Sequence, residues 1–267
     1  MLGAIIGDIA GSRFEFDNRR SKEFELFAPS CRPTDDSIMT IAVAQALMES
    51  GEDAEALSHC AVDWMQELGR RYPNCGFGGM FRRWIHSDDP APYGSYGNGA
   101  AMRISPVGFY ARSEDEVKRL SRAVTAISHD HPEGLKGAEA TAMAIYLART
   151  GMDKAQIRER IERDYYRIGF TLDEIRPTYR FNETCQNSVP QALEAFFESE
   201  SFEDAIRNAI SIGGDSDTIA AIAGGIAEAY YGIPEEIAKG AESYLESAVL
   251  ESYLLRWRIF MRKRETK

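Results

Sequence analysis

Apolar residues recur at helical spacing along most of this chain, and that periodicity constrains its fold more than any other feature. Residues 37–50 (SIMTIAVAQALMES) place an apolar stripe on a helix that Gly51 would end. Comparable patterns predict eight further helices, while strand-like alternation is scarce. They cover residues 53–68, 114–127, 133–150, 153–168, 190–198, 202–211, 218–231 and 234–262.

No repeat, linker or change in composition marks a boundary within the chain. The helical segments are therefore expected to pack as one all-α domain over residues 1–267, with about ten helices. Composition suits such a fold, because 44% hydrophobic and 27% charged residues are ordinary values for a globular protein.

The charge balance narrows the class of partner. The 267 residues hold 42 acidic and 31 basic side chains, which gives a formal net charge of −11. Proteins that bind the phosphate backbone of nucleic acids carry the opposite sign, so general nucleic-acid binding is not expected. The four cysteines form no C-x-x-C pair, which is typical of reduced thiols, and no apolar run has the length of a membrane span. We therefore expect a cytoplasmic protein without a membrane partner.

One segment, residues 69–108, does not follow the helical pattern. It holds eight of the 22 glycines and four of the ten prolines, so it is not expected to be mostly regular structure. Long irregular segments in compact domains are usually functional or disordered, and the six aromatic residues here argue against disorder because they supply surface to bury. A packed surface loop without function is the alternative.

Two acidic clusters stand directly before predicted helices, residues 34–36 (TDD) early in the chain and residues 215–218 (DSDT) late in it. Helix N-capping accounts for one such residue in each cluster, but a second adjacent carboxylate adds repulsion with little further gain. Oxygen donors are preferred by Mg²⁺, Mn²⁺ and Ca²⁺, so one or two hard cations could bind if the two helix starts meet. Spacing alone leaves capping and metal binding both open.

The residues around the second cluster favour a buried position. Gly213 and Gly214 permit unusual backbone angles, and the helix that follows, TIAAIAGGIAEAYY, has small residues on nearly every face. Such a helix packs closely on all sides and is expected at the centre of the molecule. Its two aspartates then need a counter-charge, which a cation would provide.

Several single residues are ambiguous by themselves. Glu15 follows the first apolar stretch and would ordinarily be a solvated acid. Asn98 lies between two glycines and could simply form a turn, and His129 stands near a helix start, where a packing role is common. The basic residues of the stretch 256–267 are expected to mark a positive helix end, with an anionic partner as the alternative.

Six segments, in their order along the chain, resemble the ADP-ribosylglycohydrolase family, which includes dinitrogenase reductase-activating glycohydrolase and the metal-dependent ADP-ribosyl-serine and ADP-ribosyl-arginine hydrolases. They are GDIAGSRFE (7–15), TDDS (34–37), GFGG (76–79), GSYGNGAAMR (94–103), SHDHP (128–132) and GGDSDTIAAIAGGIAEAYYG (213–232). The resemblance implies an all-α orthogonal helical bundle, a long glycine- and proline-rich substrate loop, and two divalent cations in a cleft. Mg²⁺ is the expected ion and Mn²⁺ the alternative.

The resemblance also implies a role for each motif position. The implied metal ligands are Thr34, Asp35, Asp36, Asp215, Asp217 and Thr218. The implied catalytic residues are Glu15, Asp35 and Asp36. The implied substrate-binding residues are Gly76, Gly78 and Gly79 around the diphosphate, Ser95, Tyr96, Gly97, Asn98 and Met102 along the ADP-ribose, and His129 at the scissile end.

The implied reaction is hydrolysis of the C1″ glycosidic or ester bond of an ADP-ribosylated protein or small-molecule conjugate. Such cleavage passes through an oxocarbenium-like state. The metal ions would orient the terminal diol and lower the pKa of a bound water, and Glu15 would act as general base or electrostatic partner. Two other functions remain open, an ADP-ribose-binding protein without catalysis and a metal-dependent phosphohydrolase of ADP-ribose derivatives. The acceptor, whether serine, arginine or O-acetyl, is not predicted.

Overall fold

The computed structural model describes residues 1–245 and 248–265, and helices dominate this part of the chain. The helices are α1 (Leu2–Gly11), α2 (Asp35–Ser50), α3 (Ala54–Arg71), α4 (Gly79–Ile85), α5 (Gly99–Met102), α6 (Ser105–Tyr110), α7 (Glu114–Thr125), α8 (Pro132–Arg149), α9 (Lys154–Asp164), α10 (Leu172–Ile175), α11 (Val189–Phe197), α12 (Phe202–Ser211), α13 (Ser216–Tyr231), α14 (Glu235–Glu242) and α15 (Ala248–Glu265). A 3₁₀ turn covers Cys185–Asn187. The only strand-like pairing within these residues is one isolated antiparallel bridge between Gly97 and Thr184. The predicted all-α fold is confirmed.

Most predicted helices are present, with ends that differ by a few residues. The pattern over 234–262 forms two helices rather than one, because the chain leaves α14 through a tight turn. In that turn Tyr244 N–H donates to Ala241 O and Leu245 N–H donates to Glu242 O. Both bonds run from a residue to the third residue before it, the pattern of a 3₁₀ turn. Residues 246 and 247 of the predicted helix lie outside the described part of the chain.

The irregular segment 69–108 contains more helix than its composition predicts. The end of α3, all of α4 and α5 and the start of α6 fall within it, and extended chain separates them. Its aromatic residues pack as expected of an ordered segment, since Phe77, Phe81 and Trp84 are buried. The four cysteines of the chain are free. Within the described residues, no helix has both the length and the apolar character needed to cross a membrane.

Helix α13 is the centre of the bundle, as its small residues predict. Every residue from Ser216 to Ala227 is buried, and α13 packs against α1, α8, α11 and α12. Helix α1 is similarly enclosed, since residues 3–11 are all buried. Sequence periodicity did not identify α1 as a helix because a helix buried on every side has no polar face to produce a period.

Three glycines spaced four residues apart let α1 and α13 cross at backbone distance. A Cβ atom placed on Gly3 would lie 2.3 Å from Gly224 O, one on Gly7 would lie 2.0 Å from Ala220 O, and one on Gly11 would lie 2.5 Å from Asp217 Cα. The two helices therefore run antiparallel, and the end of α1 lies beside the start of α13.

Gly7→Ala is expected to destabilise the protein by about 2 kcal/mol or more, since the added methyl group meets backbone atoms of Ala220 and Ala221 that have no room to move. Thermal or denaturant unfolding measures the loss. Gly169→Ala is the matched control, because a Cβ there would meet no atom of the described part of the chain within 4 Å. The stability of this variant should stay within about 0.5 kcal/mol of that of the parent protein. Equal stabilities for the two variants would contradict the close crossing.

Candidate active site

The starts of α2 and α13 meet at the end of α1 and bring the two acidic clusters together. Carboxylate oxygens of Asp8, Asp36 and Asp217 lie within 4.8 Å of one another, and those of Glu15, Asp215 and Asp217 do the same. Asp217 belongs to both groups, which therefore form one continuous carboxylate site. The condition that the sequence left open, convergence of the two helix starts, is met in the structure.

Asp8 is a member of this site that sequence reasoning missed. It is fully buried and accepts hydrogen bonds from the backbone N–H groups of Thr34 at 2.9 Å and Ser37 at 3.1 Å. The hydroxyls of the same two residues also donate to it, with Thr34 Oγ1 2.6 Å from Asp8 Oδ1. These bonds fix α1 to the start of α2, where free N–H groups favour negative charge. A charge inside the apolar run MLGAIIGDIAG was the available signal, since a buried charge needs partners.

The donors of the site fit a hard divalent cation. Asp36 Oδ1 is buried and has no hydrogen-bond partner among the described residues, whereas Asp36 Oδ2 accepts a bond of 3.3 Å from Thr218 Oγ1. In residues 1–245 and 248–265, none of the clustered carboxylates forms an ion pair with a basic side chain. Buried carboxylates without counter-charge are costly, and an oxygen-only donor set is the one that Mg²⁺ and Mn²⁺ prefer.

Crowding and burial raise the pKa values of these carboxyl groups. Burial is the largest cause throughout. It raises the pKa of Asp215 to about 6 and, with the charge of Asp217, that of Glu15 to about 7. The pKa of Asp35 rises to about 8 for the same reasons, and those of Asp36 and Asp217 rise well above their usual range. The metal-free site therefore retains protons to a higher pH than free aspartates do, and a cation that binds there would displace them.

The stability of the metal-free protein should consequently fall as the pH rises from about 4 to 8. A carboxyl group whose folded pKa exceeds its unfolded value binds more protons in the folded state, so its ionisation lowers the free energy of unfolding. The gain in Tm from added Mg²⁺ should grow over the same interval, because the cation stabilises the ionised groups. Thermal unfolding in chelator and in Mg²⁺ at each pH measures both trends, and a Mg²⁺ effect that is independent of pH would contradict them.

The loop after α1 holds Glu15 beside Asp215 and Asp217. Asn18 Nδ2 lies within hydrogen-bonding distance of the carbonyl oxygens of Phe14 (2.7 Å) and Glu15 (3.0 Å). The same side chain pairs with Gly214, whose carbonyl lies 3.0 Å from Nδ2 and whose N–H lies 2.9 Å from Oδ1. Gly213 and Gly214 have φ values of 74° and 75°, the unusual backbone predicted for them. The turn that leads into α13 thus also sets the position of Glu15.

Asn98 ties the irregular segment to the carboxylates and is more than a turn residue. Its Nδ2 atom donates to Asp215 Oδ2 at 2.6 Å and to Ser188 Oγ at 3.0 Å. Its backbone N–H donates to Glu183 O at 2.8 Å, next to the isolated bridge between Gly97 and Thr184. Asn98 was predicted from its motif, whereas Ser188 carries no sequence signal of its own.

The carboxylates open into a cavity of about 540 Å³, a size typical of small-molecule sites. Nearly all of the predicted site residues line it: Glu15, Asp35, Asp36, Gly76, Gly78, Gly79, Ser95, Tyr96, Gly97, Asn98, Met102, His129, Asp215, Asp217 and Thr218. Thr34 is absent from the lining; it caps α2 and donates its hydroxyl to Asp8. Lining residues to which the sequence assigned no role of their own include Phe81, Tyr93, Arg103, Phe181 and Glu183.

The GFGG segment, residues 76–79, borders the cavity with glycine backbone that carries no side chain. Gly76 has a φ of 129°, and a Cβ there would lie 2.6 Å from Asp35 Oδ1, so only glycine lets the loop approach the start of α2. At Gly78 and Gly79, no atom of the described residues lies within 4 Å of the position that a Cβ would take. Their backbone at the start of α4 is therefore open to a ligand.

Comparison with known proteins agrees with this geometry. Residues 1–265 match the family model named ADP-ribosylglycohydrolase. The ADP-ribosylhydrolase ARH3 of Homo sapiens is 26% identical over 96% of this chain and 92% of its own length. The ADP-ribosylarginine hydrolase Tri1 of Pseudomonas putida is 25% identical over 91% of this chain and 73% of its own length.

A solved structure supports the fold independently. The chain of an "ADP-ribosylglycohydrolase-related protein complex" superposes with a TM-score of 0.64 at 24% identity, covering 91% of this chain and 95% of that one. The match to one family model extends over residues 1–265, which include the central helix and the acidic cleft. This chain belongs to the ADP-ribosylglycohydrolase family.

Proposed function

We propose that this protein is a metal-dependent hydrolase that cleaves the C1″ glycosidic or ester bond between ADP-ribose and its acceptor and releases ADP-ribose. The acceptor would be a modified protein or a small-molecule conjugate. Family membership and relatives named as an ADP-ribosylhydrolase and an ADP-ribosylarginine hydrolase support the general activity. The geometry of the cleft supports the dependence on metal.

One observation carries the proposal. A single cavity is lined at one place by the carboxylates of α2 and α13 with Glu15, and at another by the open glycine backbone at the start of α4. Backbone N–H groups at such a loop bind phosphate oxygens. A clustered carboxylate site suits a hard cation and a sugar diol. ADP-ribose offers a diphosphate and a terminal ribose diol on one molecule, which matches both parts of the cavity.

The acidic cluster is the proposed place for two Mg²⁺ ions, with Mn²⁺ as the alternative. The residues that would hold them are Asp35, Asp36, Asp215, Asp217 and Thr218, with Thr34 a further candidate. Bound divalent cations supply Lewis-acid stabilisation of charge and lower the pKa of a coordinated water. Asp8, whose oxygens accept several hydrogen bonds, holds the start of α2 in place for this purpose.

The chain's own side chains then have separate tasks. Glu15, half-buried beside Asp217, accepts a proton from the attacking water. Asn98 orients the Asp215 carboxylate through its 2.6 Å bond. Gly78 and Gly79 present backbone to the diphosphate, and the segment from Ser95 to Met102 forms the wall along the ribose and base.

Product analysis on serine-, arginine- and O-acetyl-linked ADP-ribose, each in Mg²⁺ and in chelator, tests the proposal. Free ADP-ribose with an intact diphosphate, formed only with the divalent cation, is the expected result. The substrate that turns over identifies the bond. A split diphosphate would show a phosphohydrolase instead, and binding of ADP-ribose without turnover of any substrate would show a binding protein.

A further inference from the structure

Arg103 is a buried cation that forms no ion pair within the described residues, although the charge of Asp35 acts on it from a distance. Its side chain is 1% exposed, yet in the described ranges 1–245 and 248–265 it forms no ion pair, and its Nε and Nη1 atoms have no hydrogen-bond partner. Its Cζ atom lies 5.1 Å from the centre of the Phe81 ring, a cation–π contact. Burial lowers the pKa of Arg103 to about 10, so it is charged at neutral pH. Burying a charged guanidinium group costs desolvation energy, which suggests that Arg103 has a specific role here.

The remaining nitrogen of Arg103 begins a short chain of hydrogen bonds. Arg103 Nη2 lies 2.7 Å from Ser128 Oγ and 3.4 Å from His129 Nδ1, and Ser128 Oγ lies 2.9 Å from His129 Nδ1. A guanidinium group can only donate, so Ser128 Oγ accepts from Arg103. The hydroxyl hydrogen of Ser128 is then free to donate to His129 Nδ1. Ser128 Oγ has two lone pairs and could also accept from a protonated Nδ1, but Nδ1 faces Arg103 Nη2 as well, and that nitrogen can only donate. The arrangement that satisfies both contacts of Nδ1 therefore runs from arginine through serine to histidine.

This direction selects one tautomer of His129. Burial, assisted by the charge of Arg103, lowers the pKa of His129 well below its usual value, so the ring is neutral. A neutral imidazole whose Nδ1 accepts a hydrogen bond carries its proton on Nε2. No protein group in the described chain is bonded to Nε2. That atom lies next to Gly97 and Gly99, where a Cβ would be 3.6 Å and 3.3 Å from it, and these glycines line the cavity together with His129.

We propose that Arg103 and Ser128 are positioning residues that hold His129 as the neutral Nε2–H tautomer, a fixed hydrogen-bond donor to a ligand oxygen in the cavity. The identity of that ligand, ADP-ribose, rests on the proposed function, whereas the tautomer does not. The rings of Phe81 and Tyr93, with centres 6.2 Å and 5.7 Å from that of His129, flank the imidazole and restrict its rotation.

Nitrogen-15 NMR of the histidine rings in the ligand-free protein reads the tautomer directly, and His129→Gln assigns the signals. The parent protein should show a protonated Nε2 and an unprotonated Nδ1 at His129. Ser128→Ala removes the donor to Nδ1 and should give a mixture of tautomers.

The Kd of Ser128→Ala for ADP-ribose, measured by calorimetry, should rise about three- to tenfold, the effect of one weakened hydrogen bond. Arg103→Lys keeps a charged donor and should retain more of the Nε2–H form than Arg103→Met.

Ser121→Ala is the matched control, since Ser121 is 1% exposed on α7 and its hydroxyl has no partner among the described residues. It should change neither the tautomer nor the Kd. A parent protein protonated at Nδ1, or a Ser128→Ala spectrum identical to that of the parent, would overturn the positioning role. A parent protein that shows the Nε2–H form but does not bind ADP-ribose would contradict the proposed function and still support the tautomer.

Discussion

Asp36→Asn is expected to lower ADP-ribose release by more than about a hundredfold, since even residues that only support a metal site cost about 10- to 100-fold when lost. The amide keeps the shape of the carboxylate but removes the charge that Asp36 Oδ1, buried without a partner in the described residues, would offer to a cation. Steady-state release of ADP-ribose in saturating Mg²⁺ measures the loss.

The same substitution should make the metal-free protein more stable at neutral pH, measured as a higher Tm in chelator. Burial, with the charges of Asp8 and Asp217, raises the pKa of Asp36, so the ionised form is disfavoured in the folded state. Asp36→Asn removes the free-energy cost of ionising Asp36 in the folded state, so the variant is more stable than the parent above the usual pKa of an aspartate. This difference in stability disappears as the pH falls and the parent carboxyl group takes up its proton. Loss of activity combined with a gain in stability is not produced by general misfolding.

Glu49→Gln provides the control for Asp36→Asn, because it changes an exposed acid at the other end of α2. It should leave turnover, stability in chelator and the Mg²⁺-induced rise in Tm unchanged. If Asp36→Asn kept the full Mg²⁺-induced rise in Tm, the assignment of Asp36 as a metal ligand would be wrong.

Glu15→Gln should reduce kcat by about 10² to 10⁴, the usual contribution of a general base. Glu15 sits in a loop that Asn18 clamps to Gly214, so an isosteric amide should not disturb the fold. The Kd for ADP-ribose, measured in saturating Mg²⁺, should change little, which separates loss of chemistry from loss of binding. The Mg²⁺-induced rise in Tm should become smaller, because Glu15 belongs to the carboxylate group around Asp217. Turnover equal to that of the parent would remove Glu15 from the mechanism.

The pH profile gives a second measure of Glu15. Burial and the charge of Asp217 raise the pKa of Glu15 to about 7 in the metal-free protein, and a nearby cation would lower it again. Activity should therefore fall on the acid side with a midpoint below that value, because the protonated carboxyl cannot accept a proton. Glu15→Gln should lose this acid limb. Asp17→Asn, an exposed change two residues further along the same loop, should retain it.

The sequence supports prediction of those elements whose physical cause is local. Helix α7 has charged residues on one face and apolar residues on the other, and its predicted range, 114–127, agrees with Glu114–Thr125. The small residues of α13 correctly predicted a central helix, since few other positions accept a helix without a polar side. The paired acids at two helix starts predicted a shared carboxylate site if those starts meet, and the structure brings them together.

The features that escaped prediction depend on contacts between distant parts of the chain. Asp8 looked like an interruption in an apolar stretch, and its partners Thr34 and Ser37 become visible only when α1 lies against α2. The glycines at four-residue spacing in α1 are a signal for close helix crossing, but the sequence does not identify the helix that is crossed. Arg103 was predicted only as the end of a motif, and its burial without an ion pair among the described residues becomes visible only in the folded core.

The crossing of α1 and α13 also affects when the site can exist. Thr218 and Asp36, which share a hydrogen bond, are 182 residues apart in the sequence, and closing so long a loop costs entropy before any contact repays it. During synthesis Asp36 cannot meet Thr218 until the segment of chain between them has emerged. A cation that binds only the completed site shifts the equilibrium of the entire molecule rather than of one segment. A divalent cation at this site would therefore bind only chains in which α1, α2 and α13 have already assembled.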